Sequence, residues 1–331
     1  MQPDILQVRG LRVHYHTPRG AIRAVNGVSF DLRRGERLGL VGESGSGKST
    51  IALALLRLIK PPGRIEAGEA RLDGVDLLAV PEKEMRRLRL AAIALVAQGA
   101  MNSLNPVLKV RRQMVDALRD HGERPGRTET EGRIVRLLEQ VGLPASVADR
   151  YPHELSGGMK QRVVIAIAIS LRPKVIIADE PTSALDVVVQ RQVVETLRRV
   201  QEALGASIVL VGHDMGLMAQ TVDRIGVMYA GTLAEVCAVD AMFEEPLHPY
   251  SQLLIASLPS LDHRGDLQGI PGLPPSLLDP PRGCPFHARC PKAMKHCATV
   301  VPPIREARPE RWVACHLYDT AAARSPASVE G

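Results

Sequence analysis

Aromatic side chains are scarce in this chain of 331 residues, where Phe, Trp and Tyr together make up only 3%. Proteins that bind single-stranded nucleic acid stack its bases on such side chains, so this function is poorly supported. The longest apolar run, from Val163 to Leu171, is far shorter than the roughly 18 residues of a membrane span. Residues 1–4 lack the charged-then-apolar pattern of a secretory leader, and we therefore expect a cytosolic chain.

Cysteine is also sparse, with five residues, and in a reducing compartment these thiols are not expected to form disulfides. Four of the five lie between Cys284 and Cys315, and this clustering needs its own explanation. The hydrophobic share of 45% and the charged share of 24% are typical of a soluble globular protein. A net charge of +6 gives weak support for an anionic partner such as a nucleotide.

One glycine-rich stretch organises the chain. It consists of Gly42, Glu43, Ser44, Gly45, Ser46, Gly47, Lys48, Ser49 and Thr50. The apolar run before it predicts a buried strand, and the Ala/Leu-rich run after it, from Ile51 to Ile59, predicts a helix. Strand, glycine loop and helix form a polyphosphate cradle, because backbone N–H groups and the helix N-terminus point at one anion. Lys48 is then expected to contact the β- and γ-phosphates, and the Ser49 hydroxyl to bind Mg²⁺.

Polar side chains follow several predicted strands, namely Gln98, Asp179, Glu180 and His213. Strands alternating with helices predict a mainly parallel sheet, and ligands bind at the carboxyl edge of such a sheet. Asp179 is expected to hold Mg²⁺ with Ser49, and Glu180 to act as general base toward water. The alternative is that the two acids cap a helix or pair with lysines.

A second glycine pair opens a helix in the stretch Leu155-Ser156-Gly157-Gly158. Ser156 is a candidate N-cap, and the bare N–H groups of Gly157 and Gly158 also suit an anion. On one chain this helix cannot easily contact a phosphate already enclosed by residues 42–49. Two chains packed head to tail would let each complete the nucleotide site of the other.

Taken together, these motifs resemble an ABC-transporter ATP-binding subunit. The matching elements occur once each, in the family's order, over residues 5–235: the Walker A loop at 42–49, the Q-loop at Gln98, the signature at 155–161, the Walker B strand ending at Asp179-Glu180, the D-loop at 183–186 and the H-loop at His213. The resemblance implies an α/β P-loop NTPase fold (RecA-like) with a mainly parallel sheet and an antiparallel β-subdomain. It also implies a helical subdomain inserted at about 99–172, and a C-terminal extension over 236–331 that carries the cysteines.

The same resemblance implies ATP and Mg²⁺ as ligands and assigns four further roles. Tyr15 would stack on adenine, Gln98 would contact Mg²⁺, His213 would contact the γ-phosphate and Asp186 would bridge two ATPase chains. The alternatives are a packed strand residue for Tyr15, a surface amide for Gln98, a buried histidine for His213 and an N-cap for Asp186.

The C-terminal third is similar to that of oligopeptide and dipeptide importer ATPases, in Pro246 to Tyr250 and in Gly283 to Pro291. This similarity implies a second, paralogous ATP-binding subunit, two transmembrane permease subunits, an extracytoplasmic peptide-binding protein and a place at the cytoplasmic face of the cell membrane, with no nucleic acid. Import of nickel or another small solute is the alternative. Two further alternatives from other functional classes are a soluble ABC ATPase that acts on nucleic acid or ribosomes and a redox-sensing cluster protein.

The cysteines Cys284, Cys290, Cys297 and Cys315 have the spacing C-x5-C-x6-C-x17-C. Four thiolates can hold Zn²⁺ or an iron–sulfur cluster, and the spacing alone does not choose between them. The resemblance favours a [4Fe–4S] cluster over zinc. Free buried thiols are the alternative, His287, His296 and His316 are possible replacement ligands, and Cys237 lies apart.

Three local predictions can be compared directly with the structure. We expect a turn at Asn26-Gly27, a hairpin around Asp73-Gly74, and a buried helical stripe formed by Val135, Leu138 and Val141. Gly99-Ala100 departs from the Asp-Pro that related importer ATPases carry after the Q-loop glutamine. This change affects the expected permease contact and not ATP binding.

Overall fold

The computed structural model describes residues 3–99, 103–183, 185–258 and 269–319. Among them no helix is both long enough and apolar enough to cross a membrane. Ala100, part of the Gly99-Ala100 departure, and Ala184, in the predicted D-loop, lie outside the described residues.

The first of two sheets is antiparallel, with the strand order β2-β1-β4-β5. Its strands are β1 (Asp4–Thr17), β2 (Gly20–Arg33), β4 (Gly63–Leu72) and β5 (Val75–Asp76). Along β1 buried apolar residues such as Leu6, Val8, Leu11 and Val13 are separated by more exposed ones. This pattern is typical of a strand with one face on the core.

The hairpin predicted at Asp73-Gly74 is confirmed, since Leu72 pairs with Val75 and both turn residues have positive φ. The turn predicted at Asn26-Gly27 is wrong. β2 continues through these residues, and the pairing with β1 shifts between Leu11↔Val28 and Arg12↔Asn26. Gly27, with φ of 77°, therefore forms a bulge inside a strand, which needs the same backbone freedom as a turn.

The second sheet has eight strands in the described residues, in the order β11-β12-β10-β9-β3-β8-β7-β6. They are β3 (Arg37–Val41), β6 (Ile93–Val96), β7 (Val175–Asp179), β8 (Ser207–Val211), β9 (Arg224–Tyr229), β10 (Thr232–Ala238), β11 (Arg305–Arg308) and β12 (Arg311–Val313). The five strands from β9 to β6 in this order are parallel, and the other three pair antiparallel. The buried parallel strands are nearly all apolar because helices cover both faces of such a sheet.

The α-helices are α1 (Lys48–Leu55), α2 (Glu82–Leu88), α3 (Val110–Asp120), α4 (Arg127–Gln140), α5 (Gly157–Ala168), α6 (Val187–Leu204), α7 (Met215–Thr221), α8 (Val239–Glu244) and α9 (Pro249–Ala256). α1 ends earlier than the apolar run to Ile59 predicted, since Arg57 takes a positive φ of 52° that stops a right-handed helix.

The predicted stripe in α4 is partly wrong. Leu138 and Val141 are buried, whereas Val135 is only half-buried, and Ile134 and Leu137 complete the buried face. Ile134, Leu138 and Val141 recur at helical spacing, so the period was right and only the first predicted residue was one position off.

The C-terminal segment joins the large sheet. β12 pairs antiparallel with β10 through Glu235↔Val313 and Val236↔Trp312, and β11 pairs with β12. β10 itself runs across the expected boundary between residues 235 and 236. Tyr318 adds a hydrogen bond from its hydroxyl to the Leu247 carbonyl at 3.1 Å. The segment is therefore packed onto the core of the protein as an integral part of it.

Candidate functional site

The glycine loop lies between β3 and α1, at the carboxyl edge of the large sheet. Gly42 has φ of 144°, and a Cβ there would lie 2.1 Å from the Met228 carbonyl oxygen. Gly47 has φ of 102°, and its Cβ would lie 2.1 Å from the Ala24 carbonyl oxygen. Only glycine fits these two positions, and the loop can therefore wrap closely around an anion.

Lys48 fills the centre of this loop. Its Nζ donates to the Gly42 carbonyl at 2.8 Å, to the Glu43 carbonyl at 2.9 Å and to Ser46 Oγ at 3.3 Å. The side chain is buried, and desolvation lowers the pKa of its ammonium group below the ordinary value. A cation held by neutral carbonyls in a buried loop can exchange them for phosphate oxygens at little rearrangement.

Ser49 and Asp179 meet across the sheet edge. The Ser49 hydroxyl donates to Asp179 Oδ1 at 2.9 Å, although the two residues are far apart in sequence. Asp179 ends β7 and is buried, and desolvation raises the pKa of its carboxyl group while the Ser49 bond opposes that shift. A hydroxyl and a carboxylate at hydrogen-bond distance are a suitable pair of oxygen ligands for Mg²⁺.

Glu180 follows directly and has φ of 44°, a left-handed conformation that is unusual for a residue with a side chain. Its N–H donates to the Val211 carbonyl at 2.9 Å, which ties this bend to β8. Gln98 Nε2 donates to Glu180 Oε2 at 2.8 Å, and His213 Nδ1 lies 3.5 Å from Glu180 Oε1. The unusual backbone turns the carboxylate toward Gln98 and His213.

The structure thus brings Ser49 to Asp179 and both Gln98 and His213 to Glu180, at one edge of the sheet. The side chain of His213 is 70% exposed, so the alternative of an ordinary buried histidine is wrong. Gln98 is exposed but hydrogen-bonded. A cation, a metal-binding oxygen pair and a poised carboxylate are the parts that hydrolysis of a phosphoanhydride needs.

Three expected site residues lie at the start of α5. Ser156 caps this helix by accepting the Met159 N–H at 3.4 Å, and it is itself exposed. Gly157 and Gly158 open the helix, and no hydrogen bond within the described residues joins these three positions to residues 42–49. A Cβ on Gly158 would lie 2.4 Å from Val189 Cγ1 in α6. Close packing of α5 on α6 is thus a separate reason for glycine here.

Asp186 and Tyr15 also have local structural roles. Asp186 caps α6 by accepting the Val189 N–H at 3.0 Å. Tyr15 is half-buried in β1, and its ring covers Gly63, since a Cβ on Gly63 would lie 2.7 Å from Tyr15 Cε1. Both local roles are compatible with contacts to a ligand or a second chain.

The four clustered cysteines, Cys284, Cys290, Cys297 and Cys315, all line one small cavity in the C-terminal segment. Burial raises the pKa of Cys284 and of Cys315 to about 11. The backbone N–H of Met294 donates to the Cys297 sulfur at 3.4 Å. Cys237 lies in β10 and does not line this cavity.

The nearby histidines are engaged in hydrogen bonds of their own. His316 contacts Asp319 Oδ2 through Nδ1 at 2.8 Å and the Val300 carbonyl through Nε2 at 2.9 Å, so both its ring nitrogens have partners. His287 Nδ1 lies 2.8 Å from the Cys284 carbonyl. In the described chain, His296, His316 and Asp319 are the group of three metal-binding side chains whose donor atoms lie within 4.8 Å of one another.

Sequence reasoning missed two contacts to the phosphate loop. Arg289 Nη1 and Nη2 donate to the Glu43 carboxylate at 2.8 and 2.9 Å, and the Glu43 N–H donates to the Tyr250 hydroxyl oxygen at 3.0 Å. Both partners lie in the two C-terminal stretches singled out by the sequence. Nothing in their local pattern shows which distant residue they contact.

Comparisons with known proteins agree with this geometry. Residues 25–183 match the family model "ABC transporter", and residues 234–297 match "Oligopeptide/dipeptide transporter, C-terminal region". The chain is 44% identical over 314 residues to the oligopeptide transport ATP-binding protein OppD of Escherichia coli, covering 94% of this chain and 92% of that protein. It is 41% identical over 319 residues to the dipeptide transport ATP-binding protein DppD of Bacillus subtilis, covering 95% of each.

Among solved structures, a dimeric ATP-binding cassette in a post-hydrolysis state with ADP and Pi matches with a TM-score of 0.63 and 27% identity. This match covers 71% of the present chain and 98% of the cassette. Nearly all of the cassette therefore has a counterpart in the present chain, which has further residues beyond the match.

Proposed function

The chain belongs to the family of ABC-transporter ATP-binding subunits, with the C-terminal region of oligopeptide/dipeptide transporters, and from that premise we propose how it works. It is the ATP-hydrolysing subunit of a membrane importer for oligopeptides or dipeptides. The observation that carries the mechanism is the joint placement of Ser49 against Asp179 and of Gln98 and His213 against Glu180.

The chain's own residues divide the work of ATP hydrolysis. Lys48 exchanges its loop carbonyls for β- and γ-phosphate oxygens, and Ser49 with Asp179 would hold Mg²⁺. The metal ion neutralises charge on the phosphates when bound. Glu180 orients the attacking water and accepts its proton. Gln98 would contact Mg²⁺ and His213 would contact the γ-phosphate, and both keep the Glu180 carboxylate in position.

The exposed start of α5 is proposed to complete the nucleotide site of a second ATP-binding subunit. Ser156 and the free N–H groups of Gly157 and Gly158 suit the γ-phosphate of a nucleotide held by the other chain. Asp186 bridges the two chains, and Tyr15 stacks on adenine. Affinity for ATP across this interface favours the closed dimer, and hydrolysis reopens it.

The coupled assembly contains membrane permease partners and a substrate-binding protein, with this subunit peripheral to the membrane. We further propose two permease subunits, a paralogous second ATPase subunit and attachment at the cytoplasmic face of the cell membrane. The functions of the relatives, oligopeptide and dipeptide transport, support peptides over nickel or another solute as the cargo.

Glu180→Gln tests the mechanism in the purified membrane assembly. The amide keeps the size of the side chain but cannot accept the proton, so kcat should fall roughly 100- to 10,000-fold. The KM for ATP should change little because Lys48, Ser49 and Asp179 are intact. The exposed Glu245→Gln is the matched control and should hydrolyse ATP normally. Normal turnover by Glu180→Gln would show that Glu180 is not the base.

We also propose that Cys284, Cys290, Cys297 and Cys315 hold a [4Fe–4S] cluster. The donor set fits, because all four cysteines line one cavity and cysteine thiolates are the usual ligands of such clusters. The resemblance of the C-terminal stretch to the peptide importer ATPases favours the cluster over zinc.

Anaerobic purification followed by iron, sulfide and zinc analysis tests the cluster. We expect about four irons per chain and visible absorbance that Cys297→Ser removes. Cys237→Ala is the matched control, since that thiol is buried in β10 and lies away from the cavity, and it should retain the iron. One zinc per chain without iron, or no metal at all, would refute the cluster.

A further inference from the structure

One arginine of the C-terminal segment forms a bidentate pair with a carboxylate of the phosphate loop. Arg289 closes the short 3-10 turn His287–Arg289 and directly precedes Cys290. Its two terminal nitrogens donate to the two carboxylate oxygens of Glu43 at 2.8 and 2.9 Å. Glu43 is the second residue of the glycine loop. A bidentate pair of this kind fixes both the position and the orientation of the carboxylate.

The remaining N–H groups of Arg289 are also satisfied. Nε donates to the Pro271 carbonyl at 2.9 Å, Nη1 to the Tyr229 hydroxyl at 3.1 Å and Nη2 to the Ile270 carbonyl at 3.2 Å. With the two bonds to the carboxylate, all five donors of the guanidinium have acceptors. Only 5% of the side chain is exposed. Arg289 is therefore a fixed anchor, unlike the mobile surface pairs that contribute little.

The backbone of Glu43 is held from both sides as well. Its N–H donates to the hydroxyl of Tyr250, a fully buried residue of α9, at 3.0 Å. Its carbonyl accepts from Lys48 Nζ at 2.9 Å. The C-terminal segment thus holds the N–H group of Glu43, and Lys48 holds its carbonyl group.

Glu43 would otherwise place a negative charge in a loop built to surround a polyphosphate. Two like charges repel several-fold more strongly in a partly buried site than in water. Arg289 neutralises this charge and fixes the carboxylate through two hydrogen bonds. The same contact links the loop to the turn that lies between Cys284 and Cys290.

Building on the ATPase function proposed above, we propose that Arg289 is a positioning residue of the nucleotide site. It neutralises Glu43 and holds the glycine loop in the shape that accepts ATP. ATP affinity consequently depends on the segment that carries the four cysteines, while the chemistry at Glu180 does not.

The test is Arg289→Gln in the full chain. Binding of a fluorescent ATP analogue with Mg²⁺ gives Kd, and ATP hydrolysis by the membrane assembly gives KM and kcat. We expect Kd and KM to rise about tenfold, equivalent to about 1.4 kcal/mol, with kcat within about twofold because Glu180 and Gln98 are untouched. Iron content is measured in parallel and should stay at the wild-type value.

Two further variants make the result specific. Adding Glu43→Gln to Arg289→Gln removes the unpaired carboxylate and should restore most of the lost affinity. Arg308→Gln breaks a bidentate pair with Glu245 in the same segment, but that pair is exposed, so wild-type Kd is expected. A wild-type Kd for Arg289→Gln, or a double variant that binds no better than the single one, overturns the proposal.

If Arg289→Gln does not fold, Arg289→Lys decides the question. Lysine keeps the charge but loses the planar fork, so ATP should bind a few-fold more weakly than to wild type. Unchanged affinity of Arg289→Lys overturns the proposal too. A wild-type assembly without ATPase activity would refute the proposed function itself. An active wild type, together with an unchanged Kd for Arg289→Gln, would refute only the positioning role.

Discussion

Replacing Glu235 by glutamine should destabilise the protein far more than any surface change of the same kind. Glu235 lies in β10 and is fully buried. Its two carboxylate oxygens accept the backbone N–H groups of Leu247 at 2.9 Å and His248 at 2.8 Å, and Arg311 lies 3.7 Å away. This one side chain connects the large sheet, the start of α9 and β12.

The magnitude follows from these contacts. Glutamine keeps one acceptor but turns an N–H₂ group toward the second backbone N–H, which removes one charge-assisted bond of about 1.5–3 kcal/mol. It also removes the buried one of the two carboxylates near Arg311, whose side chain is only 11% exposed, and leaves it the exposed Glu245 at 3.8 Å. We therefore expect a loss of about 3 kcal/mol in the free energy of unfolding, or about 4 °C in Tm for a chain of this size.

Thermal unfolding of purified variants, followed by circular dichroism, measures this loss. Glu245→Gln is the matched control, because Glu245 also pairs with arginines but is 61% exposed, and such pairs contribute about 0–1 kcal/mol. A Tm for Glu235→Gln equal to that of the control would refute the reasoning that the buried carboxylate carries these contacts.

Two further predictions concern the nucleotide site. Burial holds the pKa of Asp179 above its ordinary value, so ionisation of this carboxyl group costs folding free energy as pH rises above about 4. In thermal melts, Asp179→Asn should therefore raise the Tm of the nucleotide-free chain at pH 7, and this gain should disappear near pH 4. The same variant should no longer be stabilised by Mg-ATP. Gly158→Ala places a methyl group against Val189 and should lower the free energy of unfolding, measured with denaturant, by about 1–3 kcal/mol. Adding Val189→Ala should recover most of this loss. Failure of the rescue would refute the steric cause.

The nucleotide site was predictable because its signals are local. The glycine loop, Asp179-Glu180 and His213 each follow a short apolar run, and the carboxyl ends of parallel strands meet at one edge. The hairpin at Asp73-Gly74 was predictable for the same reason, since two adjacent residues specify that turn. Asn26-Gly27 shows the limit of such signals, because a bulge and a turn need the same backbone conformation.

The contacts of the C-terminal segment were not predictable from their own residues. Arg289 pairs with Glu43 across 246 positions of sequence. β11 is a short polar strand, Arg305–Arg308, that pairs with β12, and β12 in turn pairs with the edge of β10. In both cases tertiary packing decides the structure, and the sequence supplies only candidate partners.

The late arrival of β12 has a consequence during synthesis. Until the ribosome has produced β12, β10 can pair with β9 on one side only, because the strand that covers its other edge comes later in the chain. An unpaired edge of buried apolar residues such as Leu233 and Val236 is a template for other nascent chains. A fragment that stops before Arg305 should therefore aggregate at the edge that the whole chain closes for itself.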